Sequence, residues 1–407
     1  WICVHNIIGN DKYTKIKSII PEKQKYFIKK YFFVDKFTRD LVDKYETREK
    51  DTLNQILNSQ ITFNKKNPIA LSEIRKKIIN DHILNDEQVS IRNLKKKDGF
   101  LQKQISELLN DLSELLNDSK EIQFEILMSE YYDLKSHAIL LKKKKVEGQE
   151  KNCSDNDKDL VISISGHGGS KKVLNQKLGS NILNKIFSKC NDFLILDMPL
   201  RGMNSINWED DLMQKKILKN NSFFPGYKNK KSMNQHKVFA HFKDNKYPNK
   251  KPLSLMLSGN YYLLKKIIEN NNYNKITMFG VSGGAWETLM LSAIIPQINK
   301  SISFSGGTMP LIYRVENRNK HYEDMEKNFF NNYSYIDLFL LATYDKDFVL
   351  NRKNYHIFNL TDPCCYTGEN MLRHFKVSFQ AENFFIKFFK SYKHGFNHQI
   401  LLNILND

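Results

Sequence analysis

Lys275-Ile-Thr-Met-Phe-Gly-Val-Ser-Gly-Gly-Ala-Trp286 is the stretch whose reading decides the fold. Residues 275–279 read as a short buried strand, Gly280-Val-Ser-Gly-Gly284 as a tight turn, and 285–295 as a helix by composition and apolar spacing. A serine on a sharp strand-to-helix turn needs glycine two residues before and two after, because a Cβ there collides with the neighbouring strand or the helix start. Both positions are Gly here. Such a turn lifts the Ser282 hydroxyl clear of the sheet. It also aims the Gly283 N–H and the positive end of the helix at a point where negative charge can form. A Gly-rich turn without chemistry is the bland alternative.

Working outward, the chain from Asp159 alternates strands and helices. Leu160-Val-Ile-Ser-Ile-Ser165 is a buried-type strand that runs into Gly166-His-Gly-Gly-Ser170, a loop whose backbone N–H groups can approach a ligand unhindered. Phe193-Leu-Ile-Leu-Asp-Met-Pro199 is a second strand after a helix of about a dozen residues; strand, helix, strand at this spacing predicts a crossover and a parallel sheet. Residues 208–251 show no clean period and are expected to form a cap-like excursion over the C-terminal edge of the sheet. Residues 252–270 read as a helix, 300–305, 355–361 and 384–389 as strands, 390–397 as a loop, and 398–404 as a closing amphipathic helix.

Acyl transfer by a serine needs a base, a carboxylate that orients the base, and fixed oxyanion donors. In a parallel sheet these groups converge only at the C-terminal ends of strands. Asp362 follows the 355–361 strand and is the candidate acid, although an Asp-Pro turn with Pro363 needs no function. Asp345 and Asp347 compete less well, because they follow a helical-looking segment, 335–343. For the base, His394 lies in a loop with Gly395, and His398 at the start of the closing helix is the alternative. The oxyanion donors would be the N–H of Gly283 and one from Gly168 or Gly169, with the His167 imidazole shaping the loop.

Residues 1–150 carry almost no Gly and many Lys, Glu, Leu and Ile, and are expected to be a helical region joined at about 146–158 to a catalytic domain over 151–407. Within it Ile105-Ser-Glu-Leu-Leu-Asn-Asp111 repeats at once as Leu112-Ser-Glu-Leu-Leu-Asn-Asp118, which puts an apolar stripe on a helix for packing against the rest of the chain or for an oligomer. The net charge of +18 comes mostly from Lys dispersed among Asn and Ile, and the run Lys142 to Lys145 reads as a solvated helix end or linker, so nucleic acid is not an expected partner. Five cysteines without CxxC spacing argue against a zinc site and suit a reducing, cytoplasmic setting. No apolar run is long enough to cross a bilayer. The first residues, Trp1-Ile-Cys-Val-His5, lack an initiator Met and a basic n-region, so the chain reads as trimmed or incomplete and a removed signal peptide stays open.

The motifs in order, Gly166-His-Gly-Gly169, Gly280-Val-Ser-Gly-Gly284, Asp362 and His394, resemble the α/β-hydrolase superfamily over about 159–407. The segments Asp197-Met-Pro-Leu200, Gly283-Gly-Ala-Trp286 and Asp362-Pro-Cys-Cys365 are similar to a poorly characterised bacterial, esterase-like branch. The resemblance implies an α/β fold with a mostly parallel, doubly wound sheet. It also implies a serine esterase working through an acyl-enzyme without metal or organic cofactor, acting on a small or glycan ester. A peptidase or amidase on the same fold, an acyltransferase, and a non-catalytic binding module are the rival readings.

Overall fold

The computed structural model describes residues 69–94, 119–128, 135–143, 158–169, 182–183, 185–186, 191–199, 201–204, 252–307, 329, 332–333, 335–344, 352–362 and 383–407. Nine strands form one sheet: β1 (Val89–Asn93), β2 (Ser119–Met128), β3 (Lys135–Lys143), β4 (Leu160–Ser165), β5 (Asp192–Asp197), β6 (Ile276–Val281), β7 (Lys300–Phe304), β8 (Lys353–Asn359) and β9 (Phe384–Phe389). Their order is β1-β2-β3-β5-β4-β6-β7-β8-β9. From β5 to β9 every pairing is parallel, while β1, β2, β3 and β5 pair antiparallel in succession. All six residues of β4 and of β5 are buried, the pattern of central strands covered on both faces.

Two apolar clusters, one on each face, hold the sheet. One face is covered by α1 (Ile69–His82), α2 (Pro252–Glu269), α3 (Gly283–Ile294) and α4 (Tyr335–Thr343). Ile182, Leu183, Ile186 and the closing helix α5 (His398–Asn406) cover the other through Leu401 and Ile404. Every residue of α3 is buried, so this helix is the spine of the first cluster, with Trp286 fully enclosed. A mostly parallel sheet wrapped on both faces, with a serine on the turn between its central strand β6 and α3, is the α/β-hydrolase fold.

The N-terminal part departs from the helical expectation for 1–150. Its described residues include the helix α1, but also β1, β2 and β3, which extend the same sheet through the β3–β5 pairing. The described N-terminal strands thus belong to the same sheet as the strands that follow. In β2 the apolar side chains Ile122, Phe124 and Ile126 alternate with polar ones, and Phe124 and Ile126 are buried. Glu125 points to the opposite face, where Arg92 of β1 and Lys135 and His137 of β3 gather round it. Cross-strand partners of this kind outweigh the helix-favouring composition of Lys, Glu and Leu. The repeat at 105–118, the junction at 146–157 and the excursion at 208–251 lie outside the described residues.

Two buried arginines fix the far end of α3. Arg352, just before β8, donates Nε to Ile298 O (2.8 Å) and its terminal nitrogens to the carbonyls of Ser292, Ile295, Leu341 and Tyr344. Arg75 of α1 donates Nε to Ala293 O (3.0 Å) and Nη2 to Leu341 O (2.8 Å) and Tyr344 O. The C-terminal carbonyls of α3 and α4 have no N–H donors further along their helices, and a cation is favoured there by the helix dipole. Both needs are met by the same pair of guanidiniums, and α3 is held with its other end at the sheet's C-terminal edge.

Candidate active site

Ser282 sits between β6 and α3 at φ 59° and ψ −122°, a left-handed conformation that L-residues rarely hold. Its N–H bonds Phe304 O of β7 (2.9 Å), and its carbonyl accepts from Ala285 and Trp286, so the strained residue is clamped from both sides. The flanking glycines are required by close approach. A Cβ on Gly280 would lie 2.2 Å from Gly284 O, and one on Gly284 would lie 2.3 Å from Ile164 O. The turn is thus pressed between β4 and its own helix, as the Gly-x-Ser-x-Gly spacing demands.

The loop after β4 abuts this turn. A Cβ on Gly166 would meet Ser282 Cβ at 3.0 Å and Gly283 N at 3.4 Å, and one on Gly283 would meet the His167 ring at 2.8 Å. The imidazole therefore lies close beside Gly283, the candidate oxyanion donor. Of the two loop glycines, Gly169 spends its N–H on Gly166 O (3.0 Å), which leaves the exposed Gly168 as the candidate loop donor. Behind the loop, the buried Asp197 at the end of β5 accepts from Ser165 Oγ and from Met203 N (2.7 Å), and it packs under Gly202, which in turn presses on Gly169. The reading from sequence gave Asp197 no role; its buried position at a strand end was the available signal.

Asp362 and His394 meet. Asp362 lies beyond β8 with its side chain fully buried, and its Oδ2 is 2.7 Å from His394 Nδ1. The other ring nitrogen, His394 Nε2, is buried and has no hydrogen-bond partner among the described residues. Two residues on, Phe396 packs edge-on against Phe304 of β7 (centroids 5.0 Å apart) and Phe279 of β6 (5.7 Å), which carries this loop from the edge strand β9 back across the sheet toward the elbow. His398, the alternative, is exposed as the first residue of α5, whose preceding Asn397 caps the helix through Ile400 N (3.0 Å). Asp345 and Asp347 lie outside the described residues.

Among the described residues no group of three or more His, Cys, Asp or Glu is arranged to hold a metal ion, and no helix is long and apolar enough to cross a membrane. A polar cavity of about 340 Å³, lined by Lys142, Lys158, Asp192, Asn271 and Tyr273 among others, opens at the N-terminal ends of β4 and β5, the edge opposite Ser282. Burial, followed by the neighbouring Asp192 carboxylate, drives the Tyr273 phenol well above its usual range.

No protein-family model matches the chain, and no curated protein matches it by sequence. Solved structures do. Acetyl xylan esterase 1 from Thermoanaerobacterium sp. JW/SL YS485 aligns at 12% identity over 87% of this chain and 96% of its own, with a TM-score of 0.45. An acetyl xylan esterase from Paenibacillus sp. R4 aligns at 11% identity over 85% and 94% (TM-score 0.44), and an S-formylglutathione hydrolase from Agrobacterium tumefaciens at 12% over 71% and 93% (TM-score 0.41).

Proposed function

We propose that the chain is a serine hydrolase that cleaves a carboxylic ester through an acyl-enzyme. The observation that carries this reading is the 2.7 Å Asp362–His394 contact, with His394 Nε2 buried and without a partner among the described residues, on the sheet edge where Ser282 is held at φ 59°. In this scheme Nε2 takes the Ser282 proton as Oγ attacks the substrate carbonyl, and Asp362 fixes the imidazole in the tautomer that leaves Nε2 free to accept. The N–H groups of Gly283 and Gly168 stabilise the oxyanion. His394 then protonates the leaving alkoxide, and a water deprotonated by the same nitrogen releases the acid. Catalytic hydrogen bonds are often unmade before substrate arrives, so an Nε2 without a partner among the described residues fits a resting site.

The test is covalent labelling by a fluorophosphonate together with turnover of p-nitrophenyl acetate. Ser282 should carry the label, and Ser282→Ala should lose both the label and at least about 10⁴-fold of turnover. Labelling elsewhere, or none, would refute the assignment. The same groups could serve an amide, so turnover of an aminoacyl p-nitroanilide without turnover of the acetate would overturn the ester class.

A further inference from the structure

Asn359 closes β8, is fully buried, and has every polar atom of its side chain engaged across a loop boundary. Its Nδ2 donates to Ser391 O (2.7 Å) and Lys393 O (3.0 Å), the two carbonyls that bracket the approach to His394. Its Oδ1 accepts from Ser391 N (2.8 Å) and Thr361 N (3.2 Å), and Thr361 Oγ1 lies within 3.3 Å of it. Thr361 adds a second bridge, its hydroxyl lying 2.9 Å from Ser391 O and 3.0 Å from Ser391 N. One residue beyond Thr361 is Asp362, whose N–H returns to Asn359 O (3.1 Å), and one residue beyond Lys393 is His394. Neither loop has a strand ladder at this point, because β8 and β9 end at Asn359 and Phe389 with one further bond from Leu360 N to Phe389 O (2.8 Å). The amide thus replaces the missing ladder, bonding the acid-bearing and base-bearing loops to one rigid planar group.

We infer that Asn359 is a positioning residue that sets the relative placement of Asp362 and His394, acting through the two loops and touching no substrate. This rests on the hydrolase reading above. A neutral amide is needed because two carbonyls must receive donors while two backbone N–H groups find an acceptor. Aspartate has the same shape and supplies only acceptors, and alanine supplies nothing. Without the amide the two loops can separate by fractions of an ångström, and shifts of that order in a catalytic pair cost up to about 100-fold in rate.

The experiment compares wild type, Asn359→Asp, Asn359→Ala and the milder Thr361→Val. Active sites are titrated to completion with a fluorophosphonate, and p-nitrophenyl acetate turnover is then expressed per titrated site. Positioning predicts that kcat per site and the labelling rate fall together, by about 100-fold for the Asn359 variants and a few-fold for Thr361→Val, with KM changed by less than about twofold. If lost activity tracks only a smaller titratable fraction, with kcat per site as in wild type, Asn359 merely stabilises the fold and the inference is overturned. Thr361→Val retains the amide and keeps the question answerable should the Asn359 variants fail to fold. A wild type that takes no label refutes the hydrolase reading itself, which is a separate outcome from a labelled wild type whose variants are equally fast.

Discussion

At its N-terminal end α3 follows a serine held at φ 59°, whose carbonyl takes the N–H groups of Ala285 and Trp286, and the N–H groups of Gly283 and Gly284 have no acceptor within the helix. At its C-terminal end the carbonyls of Ser292, Ala293 and Ile295 are taken up by the guanidiniums of Arg352 and Arg75. One end is strained and begins with two N–H groups that have no acceptor within the helix, and the other has its carbonyls supplied with donors from outside it. A helix open at both buried ends would be costly, since each unpaired buried group forfeits about 1–3 kcal/mol. The contrast sets the end where buried carbonyls are supplied with donors against the end proposed above to receive developing negative charge.

The C-terminal end offers the larger perturbation of stability. Arg352→Met keeps most of the side-chain volume and removes the guanidinium donors of Ser292 O, Ile295 O and Ile298 O, while Arg75 still reaches Leu341 O and Tyr344 O. Urea unfolding should show a loss of about 3–5 kcal/mol, while turnover per titrated Ser282 stays within about threefold of wild type. A loss under about 1 kcal/mol would mean that water or neighbouring donors replace the guanidinium, and the contrast between the two ends would dissolve.

The N-terminal end was legible in the sequence and the C-terminal end was not, for a physical reason. The elbow is written in five consecutive residues, and β4 and β5, buried on both faces, read as unbroken apolar runs. Asp362 and His394 could be nominated because each follows such a run. Arg75, by contrast, acts on a carbonyl 218 residues away, and nothing local distinguishes it from the Lys-rich surroundings. β1 to β3 were hidden by the same distance effect. Their alternation, clear at Ile122, Phe124 and Ile126, is interleaved with Lys, Glu and Gln that favour helices, and only pairing with β5 decides the matter. Asn359 looks like an ordinary strand-end Asn until the carbonyls 32 and 34 residues later are seen around it.

His356, in the middle of β8, is unsatisfied with no chemistry to serve, and so tests whether openness is costly when it has no function. It is fully buried, and both its ring nitrogens lack partners among the described residues. Phe339, Phe384 and Phe358 surround the ring, with centroids 4.6, 5.2 and 6.3 Å away. Burial lowers its pKa from 6.5 to about 3. Between those values the unfolded chain binds a proton that the folded one refuses, so stability should fall by about 1.4 kcal/mol per unit as pH drops from 6.5 toward 3. Glu125, held down to about 2 chiefly by the His137 hydrogen bond, adds its own loss only below about 4.5. His356→Phe, which fits the aromatic cage, should flatten the slope between pH 6.5 and 4.5 in urea titrations. Parallel slopes for the two proteins would show that another group governs the acid limb.

The smallest effect expected is at the N-terminal end itself. Ser282 keeps its left-handed backbone whether or not it carries a hydroxyl, so Ser282→Ala should remove activity with little change in stability. Ser282→Gly differs, because glycine holds φ 59° without a Cβ penalty, and relieving such strain is worth about 1–3 kcal/mol before the extra chain entropy of glycine takes back about 0.5–1. The net expectation is that the glycine variant unfolds about 1 kcal/mol later than the alanine variant in urea, both being inactive. If the two were equally stable, the φ of 59° would cost nothing, the elbow would be relaxed, and the strain assigned to this end of α3 would have no energetic content.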